Sequence, residues 1–316
     1  MDADYDVIII GAGPAGLAAG LYAARGGLST LIIDSGTIGG QISATEIVEN
    51  YPGVFPALSG ADLSQKMADH AKNFGAELKT ATVDEIRDAD ARKPKIVKAG
   101  KDEISALALI IATGAAPNRL GIPGEDKFWG KGISTCATCD GFFYKGKDIV
   151  VIGGGDASVE ESTFLLKFVN TLTLVHRRDK LRAQKVLQDR LIAAGDRVTF
   201  EWKMKPKEFV GGDKFEKLVV EHVETGEAKE LAPAGVFLFI GLHPNTAFLK
   251  GTVEMDAEGF VTTDPVTLAA SCPGVFAAGD VRKKLLRQIV TACGEGGTAA
   301  YAARQYVEEL KGQAYK

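Results

Sequence analysis

Two cysteines separated by two residues, Cys136 and Cys139, carry the most informative chemistry in this chain of 316 residues, and Asp140 follows them directly. A thiolate is the nucleophile in disulfide exchange, so a Cys-x-x-Cys pair can open and close a disulfide. The neighbouring carboxyl group can serve as the acid or base that handles the thiol protons. The sequence therefore predicts a redox dithiol, with Cys136, Cys139 and Asp140 as candidate catalytic residues.

Other roles are open to these residues. The cysteines could be half of a zinc site or a buried structural pair, and Asp140 could cap a helix or close a turn. A zinc site needs about four ligands, but the chain has no second Cys-x-x-Cys, Cys272 and Cys293 are isolated, and the four histidines show no ligand spacing. We therefore predict no metal.

A glycine-rich turn follows an apolar stretch near the start of the chain. Its glycines at positions 11, 13 and 16 have the spacing that permits a tight turn, a close approach to a pyrophosphate and helix–strand packing. Asp34 ends the next predicted strand, where an acid can accept a hydrogen bond from a ribose hydroxyl. The alternative is a merely tight strand–helix turn. The candidate nucleotide-binding residues here are Gly11, Gly13, Pro14, Ala15, Gly16 and Asp34.

A second turn of the same kind spans residues 153–158, with serine in place of the third glycine. The strand after it ends in basic residues rather than in an acid. Basic residues at this position suit a 2′-phosphate and so favour NADP over NAD; the alternative is a solvated basic patch. The candidate residues are Gly153, Gly155, Asp156, Ala157, Ser158, His176, Arg177, Arg178 and Arg182.

Two further motifs are ambiguous from the sequence. Gly279-Asp280 follows an apolar strand, and the aspartate could hold a ribityl hydroxyl or could belong to an ordinary turn. The aromatic run at 142–144, just after the dithiol, suits a core or a partner-docking surface equally. Two nucleotide sites and one dithiol in one chain indicate that electrons pass from one cofactor through another to a disulfide.

Composition excludes several classes of protein. The net charge of −4 argues against nucleic acid as a partner, and four cysteines are too few for a disulfide-stapled secreted scaffold. The small and apolar run at 7–24 could pass for a signal peptide or a membrane span. It follows acidic rather than basic residues and is broken by glycines at fingerprint spacing. We predict a cytoplasmic protein with no membrane segment.

The elements that must position these residues repeat along the chain. Each half has a strand–turn–helix–strand unit followed by short alternating segments at 81–104 or 198–223, predicted to be meanders. Glycine or proline marks two crossings, at about 116–123 and 241–245, which implies that one domain is inserted in the other. The predicted strands are 6–10, 28–34, 107–113, 147–152, 171–175, 236–240, 259–262 and 275–278. The first predicted helix follows the turn at 11–16 and ends near 25, and the other predicted helices span 61–75, 159–169, 182–194 and 296–310.

Taken together, these residues resemble the low-molecular-weight thioredoxin reductase family of bacteria and archaea, over about 5–310. The combination of motifs is specific. It comprises Gly39-Gly40-Gln41, Glu49-Asn50-Tyr51-Pro52-Gly53, Ala112-Thr113-Gly114-Ala115, Cys136-Ala137-Thr138-Cys139-Asp140-Gly141, Gly153-Gly154-Gly155, His176-Arg177-Arg178 with Arg182, and Gly279-Asp280 with Arg287-Gln288.

The resemblance implies an α/β fold of two Rossmann-like (three-layer ββα) dinucleotide-binding domains, with the NADPH domain inserted into a discontinuous FAD domain. The FAD domain would comprise 1–116 and 245–316, and the NADPH domain with the dithiol would comprise 117–244. The second nucleotide site would hold NADPH. The FAD site would comprise Gly11, Gly13, Pro14, Ala15, Gly16, Asp34, Gly40, Gln41, Asn50, Thr113, Gly114, Gly279, Asp280, Arg287 and Gln288.

The resemblance also implies the reaction: NADPH, FAD and the Cys136–Cys139 disulfide would pass electrons to oxidised thioredoxin. Cys139 would face the flavin, Cys136 would attack the partner disulfide, and Asp140 would manage protons. The inserted domain would rotate between two states, the assembly would be a homodimer, and thioredoxin would dock on Phe142, Phe143 and Lys131.

This chain departs from the family pattern at two places. Ser158 replaces a small apolar residue, and the segment 282–286 is more basic and apolar than usual, without an explanation in the sequence. Three alternative functions stay open: reduction of another dithiol protein, use of a different electron donor, and a redox sensor that binds both cofactors without fast turnover.

Overall fold

The computed structural model describes residues 2–45, 47–87 and 93–313. Short 3-10 helices occur at Gly40–Ala44, Gly141–Tyr144, Gly195–Arg197, Ala247–Leu249 and Gly279–Val281. The α-helices are α1 (Pro14–Arg25), α2 (Gly60–Asn73), α3 (Glu125–Phe128), α4 (Ala137–Asp140), α5 (Asp156–Leu165), α6 (Lys185–Ile192) and α7 (Ile289–Leu310).

The strands form two large parallel-based sheets and two small sheets. They are β1 (Tyr5–Ile10), β2 (Thr30–Asp34), β3 (Glu77–Thr80), β4 (Val83–Arg87), β5 (Lys95–Ala99), β6 (Asp102–Ile111), β7 (Ala115–Pro117), β8 (Ile133–Ser134), β9 (Ile149–Gly153), β10 (Leu172–His176), β11 (Val198–Trp202), β12 (Met204–Val210), β13 (Lys217–His222), β14 (Ala228–Leu231), β15 (Gly235–Phe239), β16 (Leu242–Pro244) and β17 (Val275–Ala277).

The chain divides into two compact units. The outer unit comprises residues 1–116 and 243–316, and the inserted unit comprises residues 117–242. The chain therefore passes between the units twice, and the short strands β7 and β16 pair with each other at these two crossings.

The outer unit is built on one sheet of order β3-β2-β1-β6-β5-β4, with β17 also paired to β6. Strands β3, β2, β1, β6 and β17 are parallel, and β4 and β5 are antiparallel additions. The centre of β1 is fully buried because parallel strands are covered on both faces. Helices α1 and α7 pack together on one face, where a Cβ on Gly296 would lie 2.1 Å from the carbonyl oxygen of Ala15. Only glycine allows this close helix contact.

The inserted unit repeats the three-layer plan on a smaller scale. Its parallel sheet has the order β11-β10-β9-β15-β8. Helices α5 and α6 cover one face through a cluster that includes Leu165 and Leu191, and the meander β12–β14 covers the other through Phe209 and Val220. The carboxyl ends of β9 and β10, where the glycine turn and the basic residues lie, therefore meet at one edge of this sheet.

The predicted α/β fold class with two Rossmann-like units is confirmed, as are most predicted elements. Three predictions are wrong in detail. Residues 259–262 make only isolated bridges at Val261, 198–202 is a fifth parallel strand rather than part of the meander, and the last helix begins at Ile289 rather than at 296. The predicted meander at 81–104 includes residues 88–92, which lie outside the described residues; β4 and β5 flank them.

None of the helices in the described part of the chain combines the length and the apolar character that a membrane crossing requires.

Candidate functional site

The dithiol is a formed disulfide at the start of a short helix. Cys136 and Cys139 are bonded, with Cα atoms 5.4 Å apart, and both residues are half-buried. Cys136 precedes α4, and the backbone amide of Cys139 donates a hydrogen bond to Cys136 Sγ over 3.2 Å. The disulfide therefore has a fixed backbone and partial access from outside.

Asp140 is held next to this pair by a serine that the sequence analysis missed. Ser134 Oγ donates to Asp140 Oδ2 over 2.6 Å and accepts from the amide of Cys136 over 3.1 Å. Burial raises the pKa of Asp140 above its ordinary value, and the bond from Ser134 opposes that shift. The carboxyl group is thus coupled through Ser134 to the backbone of the dithiol, and its proton is bound more tightly than that of an exposed aspartate. The position of Ser134 two residues before the first cysteine was the only signal available for it.

The aromatic run after the dithiol divides between core and surface. Tyr144 packs edge-on against Phe237 at 5.2 Å, so it belongs to the core of the inserted unit. Phe142 and Phe143 keep 55% and 39% of their surface exposed. Lys131 is exposed as well. The structure thus leaves two phenylalanines and a cation available for a partner.

The first glycine turn leaves an open space in front of α1. A Cβ on Gly11 (φ 110°) would lie 2.3 Å from the carbonyl oxygen of Ala112, and one on Gly16 would lie 1.8 Å from that of Gly11. At Gly13 the nearest atom would be 4.0 Å away, the carbonyl oxygen of Gly39. No side chain caps α1 at Gly13. The free amides and the open space suit a phosphate group at a helix N-terminus.

Asp34 stands beside this turn. Its Oδ2 accepts from the amide of Ala12 over 2.6 Å, and its Oδ1 accepts from the amide of Gly36 over 2.8 Å. Each carboxylate oxygen can accept a second hydrogen bond. Asp34 therefore fixes the turn and still has the capacity to bind a ribose hydroxyl.

Asp280 and Arg287 each have a buried polar atom with no hydrogen-bond partner among the described residues: Asp280 Oδ1 and Arg287 Nε. Burial raises the pKa of Asp280, while the charges of Lys284 and Arg287 oppose that shift. The guanidinium of Arg287 lies 4.6 Å from the ring centroid of Phe260. Buried polar atoms are almost always paired, so these two atoms suit a polar ligand.

Other predicted residues of the first site meet across long sequence distances. Asn50 Nδ2 donates to Gln288 Oε1 over 3.2 Å, and Gln288 begins α7 as its N-cap. Gln41 Nε2 donates to the carbonyl oxygen of Ala115, and Thr113 Oγ1 to that of Asn245. The other small residues lie in the same region of the outer unit: Gly40 and Gly114 have φ of 55° and 66°, and Pro14 and the buried Ala15 begin α1.

The second glycine turn, in the inserted unit, has the same division of roles. Gly153 is crowded, since a Cβ there would lie 2.5 Å from Ser158 Oγ, whereas no described residue has an atom within 4 Å of the Cβ position of Gly155. Gly155 precedes α5, and no side chain caps that helix. Asp156 Oδ1 accepts a hydrogen bond from the backbone amide of Gln184 over 2.7 Å. Ala157 follows in the first turn of α5.

The predicted basic residues separate into one buried and three exposed. The ring of His176 covers Gly154, where a Cβ would lie 2.3 Å from it. Burial lowers the pKa of His176, and the charges of the three nearby arginines lower it further. A hydrogen bond to the backbone of Gly153 opposes this shift. Within the described chain no carboxylate forms an ion pair with these exposed arginines, which are Arg177, Arg178 and Arg182.

Comparison with known proteins places this geometry in a family. The family model for pyridine nucleotide-disulphide oxidoreductases matches residues 5–296. The chain is 47% identical to the thioredoxin reductase of Bacillus subtilis, over 97% of this chain and 96% of that protein. It belongs to the pyridine nucleotide-disulphide oxidoreductase family.

Solved structures agree with that assignment. The thioredoxin reductase of Streptococcus pyogenes is 43% identical, with a TM-score of 0.91 over 96% of this chain and 98% of that one. The Lactococcus lactis thioredoxin reductase in its FR conformation is 42% identical, with a TM-score of 0.66 over 97% of this chain and 100% of that one. As a member of this family, the chain is a flavoprotein oxidoreductase that uses FAD and NADPH.

The residues present fit both cofactors of the oxidoreductase. Each turn has one glycine with open space at the N-terminus of a helix of ten residues or more. The first site adds the unpartnered Asp280 and Arg287 atoms, and the second adds unpartnered atoms at Ser158 Oγ and His176 Nε2 within the described chain. These are the places where a cofactor's phosphates and hydroxyls would be bound.

Proposed function

We propose that this chain is a thioredoxin reductase, which converts NADPH, H⁺ and oxidised thioredoxin into NADP⁺ and reduced thioredoxin. One observation carries the proposal: a partly accessible Cys136–Cys139 disulfide, coupled through Ser134 to Asp140, lies in the same unit as a nucleotide turn with three exposed arginines. A dithiol that only stabilised the fold would need neither the coupled acid nor the nucleotide turn.

FAD is held by the outer unit. Gly13 and the amides at the start of α1 bind the pyrophosphate, Asp34 binds the adenosine ribose, and Asp280 binds the ribityl chain. Gln41, Asn50, Arg287 and Gln288 would contribute to the flavin end of the site. Bound FAD supplies a two-electron carrier that can accept a hydride and reduce a disulfide.

NADPH is held by the inserted unit. Gly155 and the start of α5 bind the pyrophosphate, and the arginines at 177, 178 and 182 bind the 2′-phosphate. Arginine pairs with phosphate oxygens in a bidentate fork. His176, kept neutral by burial, provides an uncharged hydrogen-bonding group beside them.

The dithiol performs the exchange with thioredoxin. The Cys136 thiolate attacks one sulfur of the thioredoxin disulfide and forms a mixed disulfide, releasing one thioredoxin thiolate. Cys139 then attacks Cys136 Sγ, which restores the Cys136–Cys139 disulfide and releases the second thiolate. Asp140 takes and returns the thiol protons. The exposed rings of Phe142 and Phe143, together with Lys131, form the docking surface for thioredoxin.

The inserted unit carries both the nicotinamide and the dithiol, and each must reach the same flavin. Rotation of this unit about its two crossings solves that problem. Two backbone hydrogen bonds join the two crossing segments to each other. The amide of Asn245 donates to Gly114 O, and the amide of Asn118 donates to Gly241 O, both over 3.0 Å. The pivots therefore lie between residues 114 and 118 and between 241 and 245.

The proposal extends to assembly and location. The working form is a homodimer, supported by exposed aromatic side chains on the outer unit such as Tyr22 (56% exposed) and Tyr301 (62%). The compartment is the cytoplasm, where a cysteine thiol such as that of Cys293 stays reduced. Sedimentation of the FAD-loaded protein tests the first point, and a monomer at micromolar concentration would contradict it.

A coupled disulfide-reduction assay tests the function. The purified protein with FAD is mixed with thioredoxin, a thiol-reporting dye and NADPH or NADH, beside Cys136→Ser. Turnover that requires thioredoxin and Cys136 and prefers NADPH supports the reductase. Flavin reduction without thioredoxin turnover would indicate another dithiol protein as acceptor. No flavin reduction by either nucleotide would leave a different donor or a sensor.

A further inference from the structure

Segment 282–286 links Gly279-Asp280 to Arg287-Gln288, and its basic character has an explanation in the structure. Two of its cations are buried rather than solvated: Lys284 keeps 5% and Arg282 keeps 12% of its side-chain surface exposed. Both form ion pairs with Glu295, which lies in the second turn of α7. The side chain of Glu295 is 17% exposed. These three residues and Asp280 are called the charge cluster below.

Glu295 is the centre of the charge cluster. Its Oε1 lies 3.0 Å from both Lys284 Nζ and Arg282 Nη1. Its Oε2 accepts the backbone amide of Gly279 over 2.8 Å. One carboxylate thus fixes the backbone next to Asp280 and draws in both buried cations.

Lys284 stands between the two carboxylates. Its Nζ donates to Thr291 Oγ1 over 3.1 Å and to Glu295, but it stays 3.7 Å from Asp280 Oδ1. That distance is too long for a hydrogen bond, so within the described chain Asp280 Oδ1 is paired in charge with Lys284 but has no hydrogen-bond partner. The cluster contains two positive and two negative side chains. Lys284 therefore compensates the charge of Asp280 without occupying its oxygen.

We propose that Glu295 is a positioning residue for FAD: by holding Lys284 and the Gly279 amide, it keeps Asp280 Oδ1 open for a flavin-side hydroxyl. This inference rests on the proposed role of Asp280 in FAD binding and deepens it. Without the charge of Glu295, Lys284 has one neighbouring carboxylate left to pair with, that of Asp280, and it moves onto Asp280 Oδ1. An unpaired buried charge is costly, which provides the driving force.

The test measures the affinity of the FAD-free protein for FAD by quenching of flavin fluorescence. Glu295→Gln keeps an acceptor for the Gly279 amide and removes the charge, and we expect it to weaken FAD binding about tenfold. Lys284→Met added to E295Q removes the competitor for Asp280, and we expect affinity to return to within about threefold of the unaltered protein. A merely structural role would not be rescued by deleting a second buried side chain.

Two matched controls accompany these variants. Lys283→Met alters the exposed lysine next to Lys284, and Glu309→Gln alters an exposed glutamate on α7, the helix that carries Glu295. Neither should change FAD affinity. Asp280→Asn should weaken FAD binding, and binding of adenosine 2′,5′-bisphosphate, which reports on the inserted unit, should be unchanged in every variant.

The outcomes separate the two proposals. If D280N weakens FAD binding but E295Q does not, or if K284M fails to rescue E295Q, the role of Glu295 is overturned while the FAD site stands. If D280N leaves FAD binding unchanged, the FAD assignment and this inference both fall. Should E295Q alone not fold, the charge-balanced double variant decides: near-normal affinity supports the role of Glu295, and a folded double variant that binds more than about tenfold weaker overturns it.

Discussion

At the scale of single residues, the reactive groups are controlled by burial as much as by residue type. Asp140 is set apart from an ordinary surface aspartate by its burial and by Ser134, since burial raises its pKa. His176 has the opposite shift from the same cause, since burial lowers the pKa of a base. An acid with a raised pKa, such as Asp140, suits proton transfer to and from the thiols. A base with a lowered pKa, such as His176, suits hydrogen bonding in its neutral form.

Replacing Asp140 by Asn separates catalysis from stability. Its pKa in the folded protein lies above the ordinary 3.8, so the folded state binds the proton more tightly than the unfolded chain does. Stability contributed by the protonated group is then lost as pH rises from 3.8 through the raised value. We expect Asp140→Asn to lower thioredoxin turnover about a hundredfold. The free energy of unfolding of the D140N variant, relative to that of the unaltered protein, should increase as the pH is raised from about 4 to about 8.

Urea unfolding at both pH values and steady-state assays provide the measurement. Ser134→Ala, which removes only the hydrogen bond to Asp140, should show a smaller loss of turnover. A stability difference between D140N and the unaltered protein that is independent of pH would show that the Asp140 pKa is not raised.

The proposed 2′-phosphate site at the exposed arginines predicts a preference for NADPH over NADH. We expect Arg177→Ala or Arg178→Ala to raise the KM for NADPH about tenfold, because one charge-assisted contact to a 2′-phosphate is worth about 1.5 to 3 kcal/mol. The KM for NADH and kcat should not change. Arg190→Ala, on the exposed side of α6, is the matched control. An equal rise in KM for both nucleotides would contradict a 2′-phosphate site.

At the scale of elements, each nucleotide turn combines crowded glycines with one open glycine. The crowded ones let strand, turn and helix pack closely, and the open one leaves room for a ligand. The same use of small residues explains α7, which runs through Gly294, Gly296 and Gly297. The predicted start of this helix, at 296, was too late because glycine weakens isolated helices. Packing against α1 overrides that preference.

Alanine substitutions at Gly11 and Gly13 should have different effects. At Gly11, φ is 110° and the new Cβ would lie 2.3 Å from Ala112 O. We expect a loss of about 3 kcal/mol in the free energy of unfolding. At Gly13, φ is −75° and the space is open. We expect Gly13→Ala to unfold like the unaltered FAD-free protein but to bind FAD about tenfold more weakly.

Chemical denaturation of the FAD-free protein and FAD titration distinguish the two effects. Gly36→Ala, where nothing lies within 4 Å of the Cβ position, is the control. Unchanged FAD affinity in Gly13→Ala would remove the pyrophosphate from this turn.

At the scale of the whole molecule, function depends on two units joined by two crossings. Each unit has its own sheet and its own buried core. At the crossings, Gly114 has φ of 66° and Gly241 has φ of 101°, conformations that other residues adopt rarely. The two glycines therefore set the backbone path from which the proposed rotation starts.

Substitution at these two glycines should slow turnover with thioredoxin. We expect Gly114→Ala and Gly241→Ala each to lower kcat with thioredoxin by about threefold or more, because alanine is strained at these φ values and shifts the balance of rotational states. Affinity for NADP⁺ should stay constant in both variants, and affinity for FAD should stay constant in Gly241→Ala, which lies outside the predicted FAD site. Gly146→Ala, also at positive φ (70°) but away from the crossings, is the control. Normal kcat in both folded variants would contradict pivots at these positions.

The sequence by itself determined the α/β class, the paired units, the dithiol, and the type of ligand that each turn can bind. It could do so because short-range spacing dictates a turn, a helix start or a disulfide. The tertiary structure decided which distant groups meet: Asn50 with Gln288, Ser134 with Asp140, and Arg282 and Lys284 with Glu295. It also decided which residues are buried, and so the direction of each pKa shift. Those properties depend on how the layers pack, and no local pattern in the chain records that packing.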